Sequence, residues 1–221
     1  MRYYPVCLDI ENQKCLVVGG GSVGTRKVMT LLSCGANVTV VSPKVTDELL
    51  GLARKKTIAL KRRFYQTPDL EGVFLVIGAT DDKQLNSLVS RDARHLNKLC
   101  NIVDQPEACS FIIPSVINRG DLVVAISTSG KSPAFTKKMR KELENQFGEE
   151  YAEFLRLMGA IRQNLLDNGK KPEYYKPLFG KLANSELVEM IKNKNRAGID
   201  LLLKKTLGKG FEFDNLISKN E

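Results

Sequence analysis

Short apolar runs alternate with stretches of helical hydrophobic spacing along the first half of the chain. Runs that are apolar on both faces and separated by helices are typical of a parallel sheet covered on two sides. The pattern therefore predicts an α/β fold of the doubly wound class. The predicted strands are residues 15–18, 37–41, 58–60, 73–77 and 101–103, and the predicted helices are residues 23–34 and about 83–96.

The carboxyl ends of these predicted strands carry small or polar residues. Gly19, Ser42, Gly78 and Asp104 each follow a predicted strand. Ligands of doubly wound folds bind beyond the carboxyl ends of the strands. The sequence therefore predicts one crevice to which four strands contribute.

After Asp104 the pattern changes to a hairpin followed by helices. Ser132 is placed as the N-cap, and Pro133 as the first residue, of a basic helix that ends near Phe147. Strands are predicted at 111–113 and 122–126 around a turn at 118–121, and helices at 151–166 and 185–191 before a lysine-rich tail. We therefore expect a doubly wound domain at 1–112, a small α+β module at 113–147 and a helical domain at 148–221.

Composition places the chain among ordinary globular proteins, because 221 residues with 43% hydrophobic and 27% charged residues exclude disordered and collagen-like classes. No apolar run reaches the roughly 18 residues that cross a bilayer, and the first residues lack the apolar core of a signal peptide. We therefore expect a cytoplasmic protein without a membrane partner. The five cysteines have no C-x-x-C spacing and are expected to be small buried hydrophobic residues.

The formal net charge of +9 is spread along the chain and would attract a polyanion such as a nucleic acid, a membrane surface or a small polycarboxylate. The basic groups at 54–56 and 61–63 are expected to be a solvated helix end and an edge strand. Lys137 lies in the basic helix after Pro133, whose charged face is either solvated or holds an acidic substrate. Aromatic residues do not alternate with the positive charges, so a nucleic-acid partner is not expected.

The spacing Gly19-x-Gly21-x-x-Gly24 directly follows a predicted strand and opens a predicted helix, the context that indicates Rossmann-like dinucleotide binding. The first glycine permits a tight turn, the second lets a pyrophosphate approach the backbone, and the third allows close helix–strand packing. We expect the pyrophosphate to lie on the helix N-terminus beside Ser22 and Val23.

The position of the expected ribose ligand carries no acid. Where an Asp or Glu would favour NAD, the chain has Ser42, Pro43 and Lys44. Ser42 could bond a ribose hydroxyl and Lys44 would tolerate a phosphate, so these residues leave NAD and NADP open. Further along, Gly78, Ala79 and Thr80 either approach the second half of the cofactor or simply cap the next helix.

Asp104 is the acid best placed for proton transfer, since it ends a predicted strand at the crevice; the alternative is a turn residue. The single histidine, His95, is expected to be a solvated surface residue. No group of His, Cys and carboxylate residues has metal-ligand spacing, so no metal site is predicted.

Five segments in this order resemble precorrin-2 dehydrogenase, the dehydrogenase/ferrochelatase module of sirohaem synthases. The resemblance extends from about Tyr4 to Leu143. Beyond about Glu149 the chain is similar only in being helical and basic. The segments are CLVVGGGSVGTRK at 15–27, GATDD at 78–82, CNIVD at 100–104, SFIIPS at 110–115 and STSGKSP at 127–133.

The resemblance implies an NAD-dependent oxidation of precorrin-2 to sirohydrochlorin in a homodimer whose second module, 113–147, exchanges elements between subunits. It places the catalytic aspartate at Asp104. It also implies a polycarboxylate tetrapyrrole substrate bound by Lys137 and the loop of Ser127, Thr128, Ser129, Gly130 and Lys131. Family members often have serine where this chain has Thr128. Two alternatives stay open: an enzyme that also inserts ferrous iron, and a dinucleotide-sensing module without turnover.

Overall fold

The computed structural model describes residues 2–218. The chain divides into two compact units, Met1–Ile113 and Pro114–Glu221. Each unit has its own hydrophobic core, and they are called the first and the second unit below.

A five-stranded parallel sheet forms the centre of the first unit, in the order β3-β2-β1-β4-β5. The order reverses between β1 and β4, which is the switch point at which such folds bind ligands. The predicted α/β class is therefore confirmed. The strands are β1 (Lys14–Gly20), β2 (Asn37–Val45), β3 (Ala59–Lys61), β4 (Leu75–Gly78) and β5 (Leu99–Ile102).

Three helices cover the sheet: α1 (Ser22–Ser33), α2 (Asp47–Arg54) and α3 (Lys83–His95). Successive strand residues point to opposite faces, so strands that are apolar throughout supply two cores. Val17 and Val40 lie in one buried cluster, whereas Leu16, Val76 and Val89 lie in the other. Only the end of α2 was expected from the sequence, at the basic residues 54–56.

The second unit begins with an antiparallel hairpin of β6 (Ser115–Arg119) and β7 (Leu122–Ile126), followed by α4 (Pro133–Gln146). Ser132 caps α4 as predicted, since its Oγ accepts the Phe135 N–H at 3.2 Å. Gly120 in the hairpin turn has a φ of +60°, and a Cβ there would lie 3.1 Å from Cβ of Ala152, so the turn packs closely against the helix that begins at Glu150.

Five helices enclose the core of the second unit: α5 (Glu150–Asp167), α6 (Pro172–Ala183), α7 (Leu187–Lys192), α8 (Arg196–Leu207) and α9 (Phe213–Ile217). The core includes Leu157, Ile161 and Leu203. Arg196 joins three of the helices, because its guanidinium lies 3.7 Å from the centre of the Phe213 ring and 3.1 Å from Oε1 of Glu153.

Two expectations about local structure were wrong, and the one for the tail was incomplete. Residues 111–113 form no strand, because the Phe111 carbonyl accepts the Asn101 side-chain amide at 3.0 Å and Pro114 has no N–H to donate. The lysine-rich tail contains α8 and α9, whose apolar residues complete the helical core. Cys7 and Cys34 are exposed, although Cys15 is buried and burial raises the pKa of its thiol to about 11.

Among residues 2–218, no helix combines the length and the apolar character needed to cross a membrane. His95 is exposed at the end of α3, as predicted. Within the same range, no three potential metal ligands of the His, Cys, Asp or Glu type come together.

Candidate functional site

Two glycines of the loop between β1 and α1 are fixed by close packing. Gly19 has a φ of +113°, and a Cβ there would lie 2.2 Å from the Ala79 carbonyl oxygen. A Cβ on Gly24 would lie 2.2 Å from the Gly19 carbonyl oxygen. Larger residues at either position would therefore push α1 or β4 away from the end of β1.

Gly21 differs from these two because it faces open space. It is the N-cap of α1, and no atom lies within 4 Å of the place where its Cβ would stand. No side chain caps α1, and its first turn carries no acidic residue. The first N–H groups of the helix, beginning at Ser22 and Val23, are therefore free to bind an anion such as a pyrophosphate.

Hydrogen bonds hold this loop in place without a ligand. The buried Thr25 hydroxyl donates to the Gly21 carbonyl at 3.0 Å and lies 2.9 Å from the Thr46 hydroxyl. The Thr46 N–H in turn donates to the Gly20 carbonyl at 3.0 Å. The loop, α1 and the start of α2 are thus joined in one preorganised arrangement.

A cavity of about 630 Å³ lies in front of the glycine loop. It brings together the loop, the residues that follow β2, and the turn that follows β4. Pro43 and Lys44 are exposed at its wall, whereas Ser42 is buried and donates its hydroxyl to the Lys44 carbonyl at 2.6 Å. The lining includes Gly19, Gly21, Ser22, Val23, Ser42, Pro43, Lys44, Thr46, Phe64, Tyr65, Ala79, Thr80 and Leu85.

The turn after β4 both lines the cavity and caps α3. The Ala79 N–H donates to the Val18 carbonyl at 2.8 Å, and the Thr80 hydroxyl contacts Asn86 Oδ1 at 3.0 Å. Asp82 caps α3, since its carboxylate accepts two backbone N–H groups. Gly78 is not among the lining residues. It packs against β5 instead, where an added Cβ would lie 2.5 Å from Ile102 Cδ1.

Asp104 lies beyond β5 and is exposed, and it is not among the residues that line this cavity. Its φ of +60° is a left-handed conformation that Asp adopts more readily than most residues. Burial and the neighbouring Arg26 lower the pKa of Lys27 on α1, whereas the Asp104 carboxylate acts in the opposite direction. Asp104 is thus an accessible carboxylate with an ammonium group in its vicinity, and Lys27 was not predicted as a site residue.

The predicted substrate loop belongs to the second unit and joins β7 to α4. The Thr128 Oγ1 accepts the Ser132 N–H at 3.1 Å and lies 3.1 Å from the Thr136 hydroxyl. Ser129 and Gly130 have positive φ angles of 53° and 80°. Ser127, Lys131 and Lys137 are exposed. Thr128 therefore organises the loop from within, and the exposed residues around it face solvent.

Phe64 and Tyr65 line the cavity, although neither was expected there from the sequence. The basic segment 61–63 was expected to be charge on an edge strand, and β3 is indeed at the edge of the sheet. Lys61 and Arg63, however, bind the buried Asp69 carboxylate at 2.9 Å and 2.6 Å. The only sign of this in the sequence is the pair of aromatic residues directly after the basic segment.

Comparison with known families covers most of the chain in two pieces. Residues 6–115 match the family model of NAD(P)-binding domains, and residues 119–146 match the model described as the sirohaem biosynthesis protein central region. The first unit is accordingly an NAD(P)-binding domain.

Curated relatives carry the name sirohaem synthase. The protein of Nitrosospira multiformis is 35% identical over 86% of this chain and 41% of its own length. That of Actinobacillus succinogenes is 34% identical over 96% of this chain and 45% of its own length. The chain therefore spans less than half the length of these relatives.

A solved structure named SirC, precorrin-2 dehydrogenase, has the same fold with a TM-score of 0.76 and 27% sequence identity. The match covers 92% of this chain and 98% of SirC. The glycine loop, the two family models and this full-length structural match agree, and the chain belongs to the family that comprises precorrin-2 dehydrogenase and the corresponding module of sirohaem synthases.

Proposed function

We propose that this protein oxidises precorrin-2 to sirohydrochlorin with NAD as the hydride acceptor. The observation that carries the proposal is the structural match to SirC, a precorrin-2 dehydrogenase, over 98% of that chain. This chain has the SirC fold along nearly its whole length, so it has the parts from which that enzyme is built.

The residues of the cavity fit a dinucleotide. The empty space at Gly21 and the free N–H groups of α1 would hold the pyrophosphate, with Ser22 and Val23 beside it. Ser42, Pro43 and Lys44 would hold the adenosine ribose, and Ala79 and Thr80 would border the second half of the cofactor. Gly19, Gly24 and Gly78 would act through the packing of the loops. When bound, NAD supplies the acceptor for the hydride.

Asp104 would carry the proton chemistry. The oxidation removes a hydride and a proton from the macrocycle, and an exposed carboxylate can stabilise the positive charge left by the hydride and then accept the proton. The Lys27 ammonium on α1 is close enough for its charge to interact with that of Asp104.

The substrate would bind through its carboxylates. Ser127, Ser129 and Gly130 present a polar loop that Thr128 orders, and Lys131 and Lys137 add exposed positive charge. Among residues 2–218, neither lysine forms an ion pair within the chain, whereas Lys138 and Arg140 are paired along α4 with Glu142 and Glu144. Free ammonium groups are suited to orient a polycarboxylate.

A homodimer would bury surface that one copy leaves open. The hairpin is a two-stranded sheet, a structure that is marginally stable alone. Val116 and Val123 on one face are 42% and 49% exposed, and α4 buries none of its residues. We therefore assign the hairpin and α4, within 113–147, to dimerisation, and 148–221 to a helical domain attached to it.

Insertion of ferrous iron into the product is a second candidate function, favoured by the name sirohaem synthase of the relatives. Metal insertion requires removal of pyrrole protons, and the exposed Asp104 carboxylate could accept them. Iron would then be a substrate of the protein.

The decisive experiment supplies enzymatically generated precorrin-2 and NAD to the protein without oxygen and follows the visible spectrum. Asp104→Asn should lower turnover by about a hundredfold to ten-thousandfold. Asparagine also tolerates the left-handed backbone, so NAD affinity and Tm should not change. Glu107→Gln, a neighbouring exposed acid, is the matched control and should leave turnover unchanged.

The outcomes separate the candidate functions. Undiminished turnover in Asp104→Asn would remove the acid/base role from Asp104. NAD binding by the wild-type protein without any turnover would refute the dehydrogenase and support the sensing module instead. An additional spectral change on adding ferrous iron, faster than in the absence of protein, would establish iron insertion.

A further inference from the structure

Phe64 combines an exposed aromatic ring with a firmly held backbone. Its side chain is 72% exposed, so a large apolar ring faces water at the wall of the cavity. Its backbone, by contrast, lies between two residues that are firmly held. An exposed aromatic ring on a fixed backbone is typical of a binding surface.

On the amino-terminal side, Arg63 is held by Asp69. The guanidinium donates to both carboxylate oxygens, at 2.6 Å and 2.7 Å, and Nη1 also donates to the Phe64 carbonyl at 2.9 Å. Lys61 and the Gln66 N–H complete the environment of the carboxylate at 2.9 Å and 3.0 Å. The Asp69 side chain is only 2% exposed although Arg63 is half-exposed, and the two-point contact fixes the geometry of the pair.

On the carboxyl-terminal side, Tyr65 is buried in the core of the first unit. Its hydroxyl donates to Asp92 Oδ2 at 3.2 Å, and the Thr67 hydroxyl donates to the same oxygen at 2.8 Å. The backbone of Phe64 is thus anchored to the edge of the sheet on one side and to α3 on the other.

The order of the strands indicates which part of a dinucleotide reaches Phe64. The pyrophosphate position at Gly21 follows β1, and the ribose position at Ser42 to Lys44 follows β2. Phe64 follows β3, which is the next strand outward in the sheet. The group attached to the outer side of the ribose is the adenine base, whose flat aromatic face matches that of a phenyl ring.

We propose that the Phe64 ring stacks on the adenine of the bound dinucleotide and that Asp69, through Arg63, positions this ring. The inference rests on the proposed dinucleotide binding and adds the residue that recognises the base. Stacking recognises the aromatic face of the base and needs no hydrogen bond to its edge.

Titration of the intact protein with ADP-ribose and with nicotinamide mononucleotide tests the proposal, because only ADP-ribose contains the adenine. Phe64→Ala should weaken ADP-ribose binding about tenfold and leave nicotinamide mononucleotide binding unchanged. Phe64→Tyr keeps an aromatic face and should bind ADP-ribose like the wild-type protein. Phe64 is exposed, so these variants should fold, and Tm measurements will check this.

A spectroscopic test follows from composition, since the chain contains no tryptophan. Phe64→Trp places a single indole at the cavity, and ADP-ribose should quench its fluorescence with the same affinity that calorimetry gives. Phe135→Trp, at an exposed phenylalanine on α4, is the matched control and should show no saturable quenching.

The result that overturns the inference is equally clear. If the wild-type protein binds ADP-ribose but Phe64→Ala binds it equally well, or the Phe64→Trp fluorescence does not respond, Phe64 does not contact the adenine. If the wild-type protein binds neither NAD nor ADP-ribose, the proposed function fails as well. The two failures are therefore distinguishable.

Discussion

The glycine loop of the first unit and the hairpin with α4 in the second unit differ in how much of their polar and apolar surface is satisfied within one copy of the chain. Around the loop, the Thr25 and Thr46 hydroxyls form a hydrogen bond with each other, and Gly19 packs against Ala79 at the end of β4. In the hairpin, Val116 and Val123 remain exposed, and α4 buries nothing. A site for a small ligand can thus be preorganised within one chain, whereas the hairpin leaves apolar surface that the proposed dimer would cover.

Gly19→Ala is expected to have the largest effect on the completed region. The added Cβ would overlap the Ala79 carbonyl in a backbone conformation that alanine disfavours, and we expect a loss of about 4 kcal/mol in the free energy of unfolding. Gly21→Ala is the matched variant, since its Cβ meets nothing. It should keep the wild-type free energy of unfolding yet weaken NAD binding.

Urea denaturation and calorimetric titration measure these two quantities. A Gly19→Ala protein as stable as the wild type would show that the loop has room for a Cβ and is not closely packed against Ala79. Full NAD affinity in Gly21→Ala would place the pyrophosphate elsewhere.

Asp69→Asn should have the next largest effect, about 2 to 3 kcal/mol, because it leaves two half-exposed cations beside a buried amide. The hydrogen bond from Arg63 holds the pKa of Asp69 far below its ordinary value of 3.8. The contribution of the carboxylate is therefore complete above about pH 5 and is lost as the pH falls through the lowered pKa.

Urea denaturation of both proteins between neutral and acid pH tests this expectation. The stability difference between the wild-type protein and Asp69→Asn should be constant near neutral pH and should shrink only in strong acid. A difference that disappears already near neutral pH would contradict the assigned ion pair.

Val123→Asp should affect the incomplete region alone. A charge on the exposed hairpin face should weaken dimerisation about thirtyfold, equivalent to roughly 2 kcal/mol. NAD affinity should be unchanged. Sedimentation equilibrium measures the dimer, and Leu201→Asp, at an exposed leucine of the helical region, is the control that should leave it intact. If the wild-type protein stays monomeric at high concentration, the exposed hairpin face is not a dimer interface.

Ser132→Ala should have the smallest effect, about 1 kcal/mol, because it removes the N-cap of α4. Asp82→Ala removes the N-cap of α3, which also buries Val89 and Ala93. Hydrogen exchange should show fraying of α4 in Ser132→Ala but protection of α3 beyond its first turn in Asp82→Ala. Equal fraying in both helices would mean that the buried residues of α3 do not protect it from the loss of its N-cap.

Features that depend on residues adjacent in the chain could be predicted from the sequence, whereas features that depend on distant contacts could not. The glycine spacing predicted the loop because the strand, turn and helix that give it meaning are adjacent in the chain. Phe64 could not be predicted, because its fixed position depends partly on Asp92, which lies 27 residues beyond Tyr65 in sequence. Only the end of α2 was expected, since this helix is short and contains Gly51.

The error at residues 111–113 has a similar cause. The run Phe111-Ile112-Ile113 has the composition of a strand, but strand formation also requires a free partner edge. Ser110 and Phe111 form isolated hydrogen bonds to Cys100 and Asn101 of β5 instead. β5 is an edge strand, but the Ser110 hydroxyl and the Cys109 sulfur accept the N–H groups of Cys100 and Ile102 along it. Composition alone does not reveal that side chains occupy this edge.

The left-handed backbone at Asp104 has a consequence for how this family can change through mutation. A single base substitution converts an aspartate codon into one for asparagine or for glycine, and these are the two residues that adopt this conformation most easily. One mutation can therefore remove the carboxylate while the fold and the dinucleotide cavity persist. Under the role proposed for Asp104, a chain with Asn or Gly at this place would bind the dinucleotide but lack the proton acceptor.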